Sequence, residues 1–170
     1  MNPSTHLALC LLMASGSLSI TALADLSSHA PPNAEGIPHE TAEIVTVRQP
    51  PETILRQGLP SFVGISQDTA GATGISMNMV VIPPGGAAKP HRHRGYETAI
   101  YLLKGRVETH YGRGLQKSVI NQEGDFIFIP PDVPHQPRNL SSTEPALAIV
   151  ARNDPNEQEN VIPYDPAADD

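Results

Sequence analysis

The stretch that decides the fold lies near the middle of the chain and reads Gly85-Gly86-Ala87-Ala88-Lys89-Pro90-His91-Arg92-His93. Two histidines separated by one residue on an extended segment point the same way, because the side-chain period of a strand is two. His91 and His93 are therefore predicted to converge on one point inside a β-barrel. Arg92 and Arg94 alternate with them and are predicted to point outward, toward the rim.

A second stretch supplies a third imidazole and reads Gly124-Asp125-Phe126-Ile127-Phe128-Ile129-Pro130-Pro131-Asp132-Val133-Pro134-His135. Its apolar run ends at two prolines, so the strand is predicted to stop in a rim loop that carries His135. If this strand lies beside the first segment, all three histidines meet. Burying three imidazoles without a partner costs free energy, which favours a bound metal ion over a metal-free, hydrogen-bonded cluster.

The rest of the chain is typical of short β-strands joined by turns. It contains 18 prolines and 13 glycines, only 4% aromatic residues and no tryptophan. No window carries a sustained helical period and no repeat recurs, so the sequence predicts one all-β barrel. In one strand the polar set Arg106, Glu108 and His110 alternates with apolar positions, which places His110 at the surface. The predicted strands are 43–47, 61–66, 74–82, 97–104, 106–111, 117–121, 125–129 and 146–151.

Both histidine stretches resemble the two sequence motifs of the cupin superfamily. The first motif, G-x5-H-x-H-x3,4-E-x6-G, is matched by Gly85, His91, His93, Glu97 and Gly105. The second motif, G-x5-P-x-G-x2-H-x3-N, is matched by Gly124, Pro130, Asp132, His135 and Asn139. The resemblance implies a single jelly-roll barrel over residues 43–152. It also implies one divalent transition metal ion (Fe, Mn, Zn, Ni, Co or Cu), held by His91, His93, His135 and Glu97.

Two positions depart from these motifs. Asp132 stands where the second motif has glycine, and aspartate tolerates turn conformations. Glu97 fits the count forward from His93, but the count back from Gly105 places the glutamate position at Thr98. A shift of one residue turns a side chain to the opposite face, unless a β-bulge reconciles the two counts. We take Glu97 as the fourth ligand; the alternative is a three-histidine site with Thr98 or water beside the metal.

Other polar residues have two possible roles. Tyr101 shares the parity of Glu97 and is predicted to be a catalytic, proton-handling residue in the cavity, although a core-filling role stays open. Tyr96 offers a second phenol. Five more residues either bind a substrate near the mouth or are solvated charges and amides: Lys89, Arg92, Arg94, Gln136 and Arg138.

The two ends are predicted to lie outside the barrel. Residues 1–24 are interpreted as a signal peptide, because residues 7–20 are mostly apolar and Ala22-Leu23-Ala24 forms a cleavage site. An uncleaved anchor is the alternative. Residues 25–42 are expected to form a flexible leader and 153–170 an acidic tail. Residues 161–164 of this tail either lie on their own barrel or cross to a partner subunit.

Composition and charge narrow the function further. The net charge is −7, and −6 of it comes from acidic residues after Arg152, so a near-neutral body offers no basic surface for nucleic acid. Cys10 is the only cysteine and lies in the signal peptide, which leaves the mature chain without a thiol. Cleavage would also leave no stable membrane insertion, and a periplasmic or secreted location is expected.

The resemblance implies several functions, because fold alone does not select one. The leading hypothesis is an exported metalloenzyme of the oxygenase, lyase, decarboxylase or isomerase type, acting on a small oxygen-rich or carboxylated molecule. The alternatives are a non-catalytic module that binds a small molecule or metal, and a structural barrel that mainly dimerises. Cupin barrels often pair through edge strands, so a homodimer is expected.

Overall fold

The structure is a computed structural model and describes residues 43–169. The predicted signal peptide (1–24) and flexible leader (25–42) lie outside these described residues. No helix within residues 43–169 is long and apolar enough to cross a membrane.

The regular secondary structure of the described part of the chain is almost entirely β-strand. Helix is limited to one short turn, α1 (Gln67–Ala70), and three 3-10 turns at Arg113–Leu115, Glu157–Asn160 and Pro166–Asp169. The strands are β1 (Glu52–Ile54), β2 (Pro60–Ile65), β3 (Ser76–Ile82), β4 (His91–His93), β5 (Thr98–Lys104), β6 (Arg106–Tyr111), β7 (Lys117–Gln122), β8 (Phe126–Ile129), β9 (His135–Asn139), β10 (Ala146–Arg152) and β11 (Val161–Pro163).

These strands form two antiparallel sheets that enclose one core. The six-stranded sheet has the order β1-β2-β3-β10-β5-β8, and the five-stranded sheet has the order β11-β4-β9-β6-β7. Each strand alternates between core and solvent, and many of the inward side chains of the two sheets are apolar. The core consists chiefly of Leu55, Leu59, Val80, Ile82, Leu102, Val107, Ala148 and Val150. The predicted all-β jelly-roll architecture is therefore confirmed.

Most of the predicted strands are present, with ends that differ by one or two residues. Residues 43–47 are the exception: they form no strand, and Ile44 is 98% exposed, so no packing holds this segment in a sheet. Strands β1, β4, β9 and β11 were not among the predicted strands. They are only three to five residues long, too short to show a clear alternating period.

The acidic tail contributes a strand to its own barrel. In β11, Val161 is 2% exposed and pairs with His93, while Pro163 pairs with His91. The Tyr164 hydroxyl accepts a hydrogen bond of 2.7 Å from the backbone N–H of Gly114. The open question about residues 161–164 is thus answered: they cover the outer edge of the strand that carries the histidine pair.

Two turn residues hold the barrel ends in place. Gly105 has φ +97°, and a Cβ atom there would lie 2.9 Å from the Cβ of Ala146, so the position requires glycine. Asp132 has φ +61°, which confirms that aspartate tolerates the turn where the motif has glycine. Its backbone N–H donates to the His93 carbonyl at 2.8 Å. This bond ties the loop before His135 to β4.

Candidate metal centre

Three histidines from two neighbouring strands meet inside the barrel. His91 and His93 point inward from β4, and His135 opens β9 directly opposite His91 in the strand pairing. All three are buried, with exposed fractions of 2–4%. The ring centroids lie 4.3–5.0 Å apart, and one nitrogen of each ring lies within 4.8 Å of the others. The predicted convergence of these imidazoles is confirmed.

Hydrogen bonds fix the orientation of each ring. His91 Nδ1 donates to the Lys89 carbonyl at 2.8 Å, and His135 Nδ1 donates to the Val133 carbonyl at 2.9 Å. A carbonyl oxygen only accepts, so Nδ1 carries the proton in both rings and Nε2 keeps its lone pair. His93 Nδ1 lies 2.6 Å from the Tyr96 hydroxyl, which is 3% exposed as a residue. Such partners are what orients ligand histidines around metal ions.

Burial keeps all three imidazoles neutral. Loss of solvation, reinforced by the charge of His135, lowers the pKa of His91 to about 3. Burial lowers the pKa of His135 to about 4. The pKa of His93 is lowered further still, by burial and then by the positive charge of Arg152. Metal ions bind the neutral imidazole, so the cluster is in its ligand form at neutral pH.

Three neutral, buried and oriented imidazoles fit a divalent transition metal ion. His91 and His135 offer Nε2 as a lone-pair donor because Nδ1 is engaged by a carbonyl, and His93 does the same when its Nδ1 donates to the Tyr96 hydroxyl. Imidazole ligands suit Fe, Mn, Co, Ni, Cu and Zn, so this donor set defines the class of metal and does not select one member. The three histidines are thus positioned to bind a metal ion.

The structure does not place Glu97 among these ligands. Glu97 is exposed, and its backbone N–H donates to Asn153 Oδ1 at 2.8 Å. Thr98, 1% exposed, takes the inward position that follows from the count back from Gly105. The β5–β10 pairing does contain a register shift, but it lies beyond Leu102 and leaves Glu97 facing outward. On this geometry Glu97 is not a ligand, and the prediction of Glu97 as the fourth ligand is corrected.

Tyr101 is likewise on the outer face of β5. Thr98, Ile100 and Leu102 line the cavity, so the odd-numbered residues of this strand point away from it. Tyr101 instead packs on Phe126, with ring centroids 4.7 Å apart. Because the side chain of Tyr101 points away from the cavity, its predicted catalytic role there is corrected.

The histidines open into a small, mostly apolar cavity of about 70 Å³. Besides the imidazoles, four polar residues line it: Gln57, Thr98 and Arg152, which are 4%, 1% and 5% exposed, and the half-buried Thr109. We did not predict a role for Arg152 from the sequence. The signal was available, because Arg152 shares the parity of the inward residues Ala148 and Val150 on β10.

The charged residues near the two motifs stay outside this cavity. Lys89, Arg94 and Arg138 are exposed, and Arg92 lies 3.6 Å from Asp132 in a solvent-exposed ion pair. Gln136 Nε2 donates to the Ala88 carbonyl at 2.9 Å. These positions correspond to solvated charges and a structural amide.

Tyr96 offers a test of ring orientation at the metal centre. We expect Tyr96→Phe to weaken Zn²⁺ binding by roughly 10- to 100-fold, the usual cost of removing a partner that orients a ligand histidine. The measurement is chelator competition on the purified protein. Tyr101→Phe is the matched control, because it removes the same hydroxyl from the outer face. Equal losses in the two variants would contradict this role of Tyr96.

The fold and the histidine cluster together define a small jelly-roll barrel with three histidines positioned to bind a metal ion, and comparisons with known proteins agree with this fold. Residues 78–152 match the family model of the Cupin domain. A germin-like protein of subfamily T (member 3) from Arabidopsis thaliana is 38% identical over 86 residues, which cover 48% of this chain and 37% of that protein. Residues 78–152 thus match a cupin domain, and the chain spans well under half of this curated relative.

Solved structures support the same fold. Oxalate decarboxylase from Lactobacillus farciminis, in a formate complex, aligns with TM-score 0.57 and 22% identity over 66% of this chain and 33% of that chain. The polyketide cyclase RemF from Streptomyces resistomycificus aligns with TM-score 0.53 and 23% identity over 70% of this chain and 77% of that chain. At these identities the likeness concerns the fold.

Proposed function

We propose that this protein is an exported, metal-dependent cupin enzyme that acts on a small oxygen-rich or carboxylated molecule. One observation carries the proposal: three neutral imidazoles share one cavity with a buried guanidinium. His91, His93 and His135 would hold the ion. When bound, a divalent ion supplies Lewis-acid or redox chemistry. The apolar lining from both sheets would exclude bulk water and restrict the size of the substrate.

The decisive experiment is elemental analysis of natively purified protein without added metal, followed by activity screening. We expect one transition metal ion per chain. Oxygen uptake and keto-acid formation would then be measured with a panel of small acids, polyols and enediols. Full metal occupancy without turnover on this panel would count against an enzyme.

A binding module is the second candidate, and one observation favours it. Glu97, the expected fourth ligand, and Tyr101, the expected proton-handling residue, both point away from the cavity. A barrel without them could capture a ligand and release it unchanged. A small molecule that copurifies with the protein and is recovered intact would support this alternative.

The proposed location is the periplasm or the outside of the cell. The support is the apolar run 7–20 followed by Ala22-Leu23-Ala24. Mass spectrometry of protein recovered from a secreting host tests it directly. We expect a mature chain that begins at Asp25, whereas an intact N-terminus in the cytosolic fraction would contradict export.

We further propose that two copies pair through the outer face of the six-stranded sheet. An apolar patch crosses β8, β5 and β10 there, and its Phe126 and Phe128 are 85% and 62% exposed. None of the residues lining this patch is charged: Ala99, Ile100, Tyr101, Phe126, Ile127, Phe128, Ile149 and Ala151. Exposed apolar patches of this kind mark interaction sites, and a two-fold dimer buries the same patch on both subunits.

Charge reversal of the patch tests the dimer. We expect sedimentation velocity to show a dimer for the wild type and a monomer for Phe128→Glu, because an isologous contact would bury two carboxylates. Ile120→Glu is the matched control, since Ile120 is 48% exposed on the other sheet. A monomeric wild type, or a dimeric Phe128→Glu variant, would contradict the assignment.

A further inference from the structure

A buried cation stands beside the histidine cluster. Arg152 ends β10, where the strand pairing places it between Thr98 of β5 and Ser76 of β3. It is 5% exposed and lines the same cavity as the three histidines. Its positive charge also contributes to the lowered pKa of each of them. Arginine is almost never fully buried unless its charge is paired.

This arrangement has a direct electrostatic consequence. The guanidinium raises the positive potential of a mostly apolar cavity, and a divalent ion held by the histidines would raise it further. An anion inside the cavity would be attracted by both cations, and this attraction is strong where water is excluded. A planar carboxylate suits the guanidinium because its two oxygens match the N–H geometry of arginine.

Two more polar groups face the same cavity. Within residues 43–169, Thr98 Oγ1 and Gln57 Oε1 are buried and have no hydrogen-bond partner. Leaving such atoms unsatisfied costs free energy, so a ligand that engages them is stabilised. The Thr98 hydroxyl can donate to a carboxylate oxygen, and Thr98 sits directly opposite Arg152 in the strand pairing.

A larger groove adjoins this cavity and is mainly apolar. Its volume is about 430 Å³, and it shares four lining residues with the inner cavity: Thr109, Ile127, Ile129 and His135. Farther out it is lined by Tyr111, Val119 and Val133. The inner cavity of about 70 Å³ accommodates only a few non-hydrogen atoms. Any larger ligand must therefore extend into the groove.

We propose that the cavity binds the carboxylate head of an organic acid through Arg152 and Thr98, and that the groove holds the apolar part of the same acid. The proposal rests on the proposed function, because it assigns the substrate class of the same site. It narrows that class from small oxygen-rich or carboxylated molecules to monocarboxylic acids with an apolar chain.

Calorimetry with acetate, hexanoate and hexanamide tests the proposal on metal-free and Zn²⁺-loaded protein. We expect hexanoate to bind at least tenfold more tightly than acetate, because its chain buries apolar surface in the groove. Hexanamide, which lacks the charge, should not bind measurably. Equal affinities for acetate and hexanoate would overturn the placement of the chain, and equal affinities for hexanoate and hexanamide would overturn the anion site.

Substitutions test which residues bind the carboxylate head group. Arg152→Met should weaken hexanoate binding at least tenfold, whereas Arg152→Lys should restore part of it. Arg94→Met, which removes an exposed guanidinium at the rim, should leave it unchanged. Thr98→Val keeps the side-chain shape, and we expect a loss of roughly tenfold from the missing hydrogen bond to a charged acceptor. Wild-type hexanoate affinity in Arg152→Met, or in Thr98→Val should the first variant not fold, overturns the proposal.

Failure of this inference is distinguishable from failure of the proposed function. Zn²⁺ bound by the histidines without any acid binding would overturn the inference and leave the metal centre standing. If the protein binds no metal but binds hexanoate in a way that depends on Arg152, the metal centre would be overturned and the inference would stand. If both hold, hexanoate should raise Zn²⁺ affinity by the same factor by which Zn²⁺ raises hexanoate affinity.

Discussion

Replacing His135 by alanine is expected to abolish metal binding. The substitution leaves two imidazoles on β4 and removes the only ligand that comes from β9. We expect Zn²⁺ affinity to fall by more than about 100-fold, since residues that merely orient a ligand are already worth roughly 10- to 100-fold. Chelator competition and metal analysis after gel filtration give the two readouts.

His110 provides the matched control for this substitution. It lies on the solvent-facing side of β6, 3.6 Å from Glu108, so His110→Ala removes an imidazole without touching the cluster. Its Zn²⁺ affinity should remain that of the wild type. A His135→Ala variant that loses thermal stability but keeps full metal affinity would favour a purely structural role for the histidines.

Acid is expected to destabilise the metal-free protein strongly. Each cluster histidine has a lowered pKa in the folded state, so the unfolded chain binds protons that the folded chain does not. The contribution of these neutral histidines to the free energy of unfolding is therefore fully present above pH 6.5, the ordinary histidine pKa. It is lost progressively as the pH falls toward the folded-state pKa, about 4 for His135 and about 3 for His91. At pH 5 the loss is about 2 kcal/mol per histidine, or roughly 6 kcal/mol for the three.

Urea unfolding of chelator-treated protein at pH 7.5, 6 and 5 measures this effect. We expect the midpoint to fall by more than about 1 M between pH 7.5 and 5, given a typical slope of about 1–3 kcal/mol per M. His135→Gln should reduce the pH dependence by about a third, and His110→Gln should leave it intact. A midpoint that is flat over this range would contradict burial of three neutral imidazoles.

The sequence was most informative where one rule governed a regular segment. His91 and His93 could be placed on one face because a strand has a side-chain period of two, and the rim turn at Pro130-Pro131 explained why His135 returns to them. The same rule applied to 146–152 would have identified Arg152 as inward. Arg152 was not predicted because it is far from the histidines in the sequence, and β10 neighbours the site only in space.

The predicted side-chain orientations were wrong where residues were counted across irregular backbone. Between His93 and β5 the chain passes through a turn, so a count forward from His93 does not preserve parity, and Glu97 faces solvent. The orientation predicted for Tyr101 was wrong for the same reason, because it was derived from the parity of Glu97. Strand β11 shows a different limit: three residues within an acidic tail carry no period of their own, and Val161 is buried only because β4 presents an edge to pair with.

The central claim is that three imidazoles from β4 and β9 bind one metal ion. X-ray absorption spectroscopy of the natively loaded protein tests it most directly. It should show three imidazole nitrogens at about 2.0–2.2 Å from the metal, and one fewer in any complex that His135→Ala still forms. A metal surrounded by oxygen donors alone, or the same three imidazoles in the His135→Ala variant, would contradict the account.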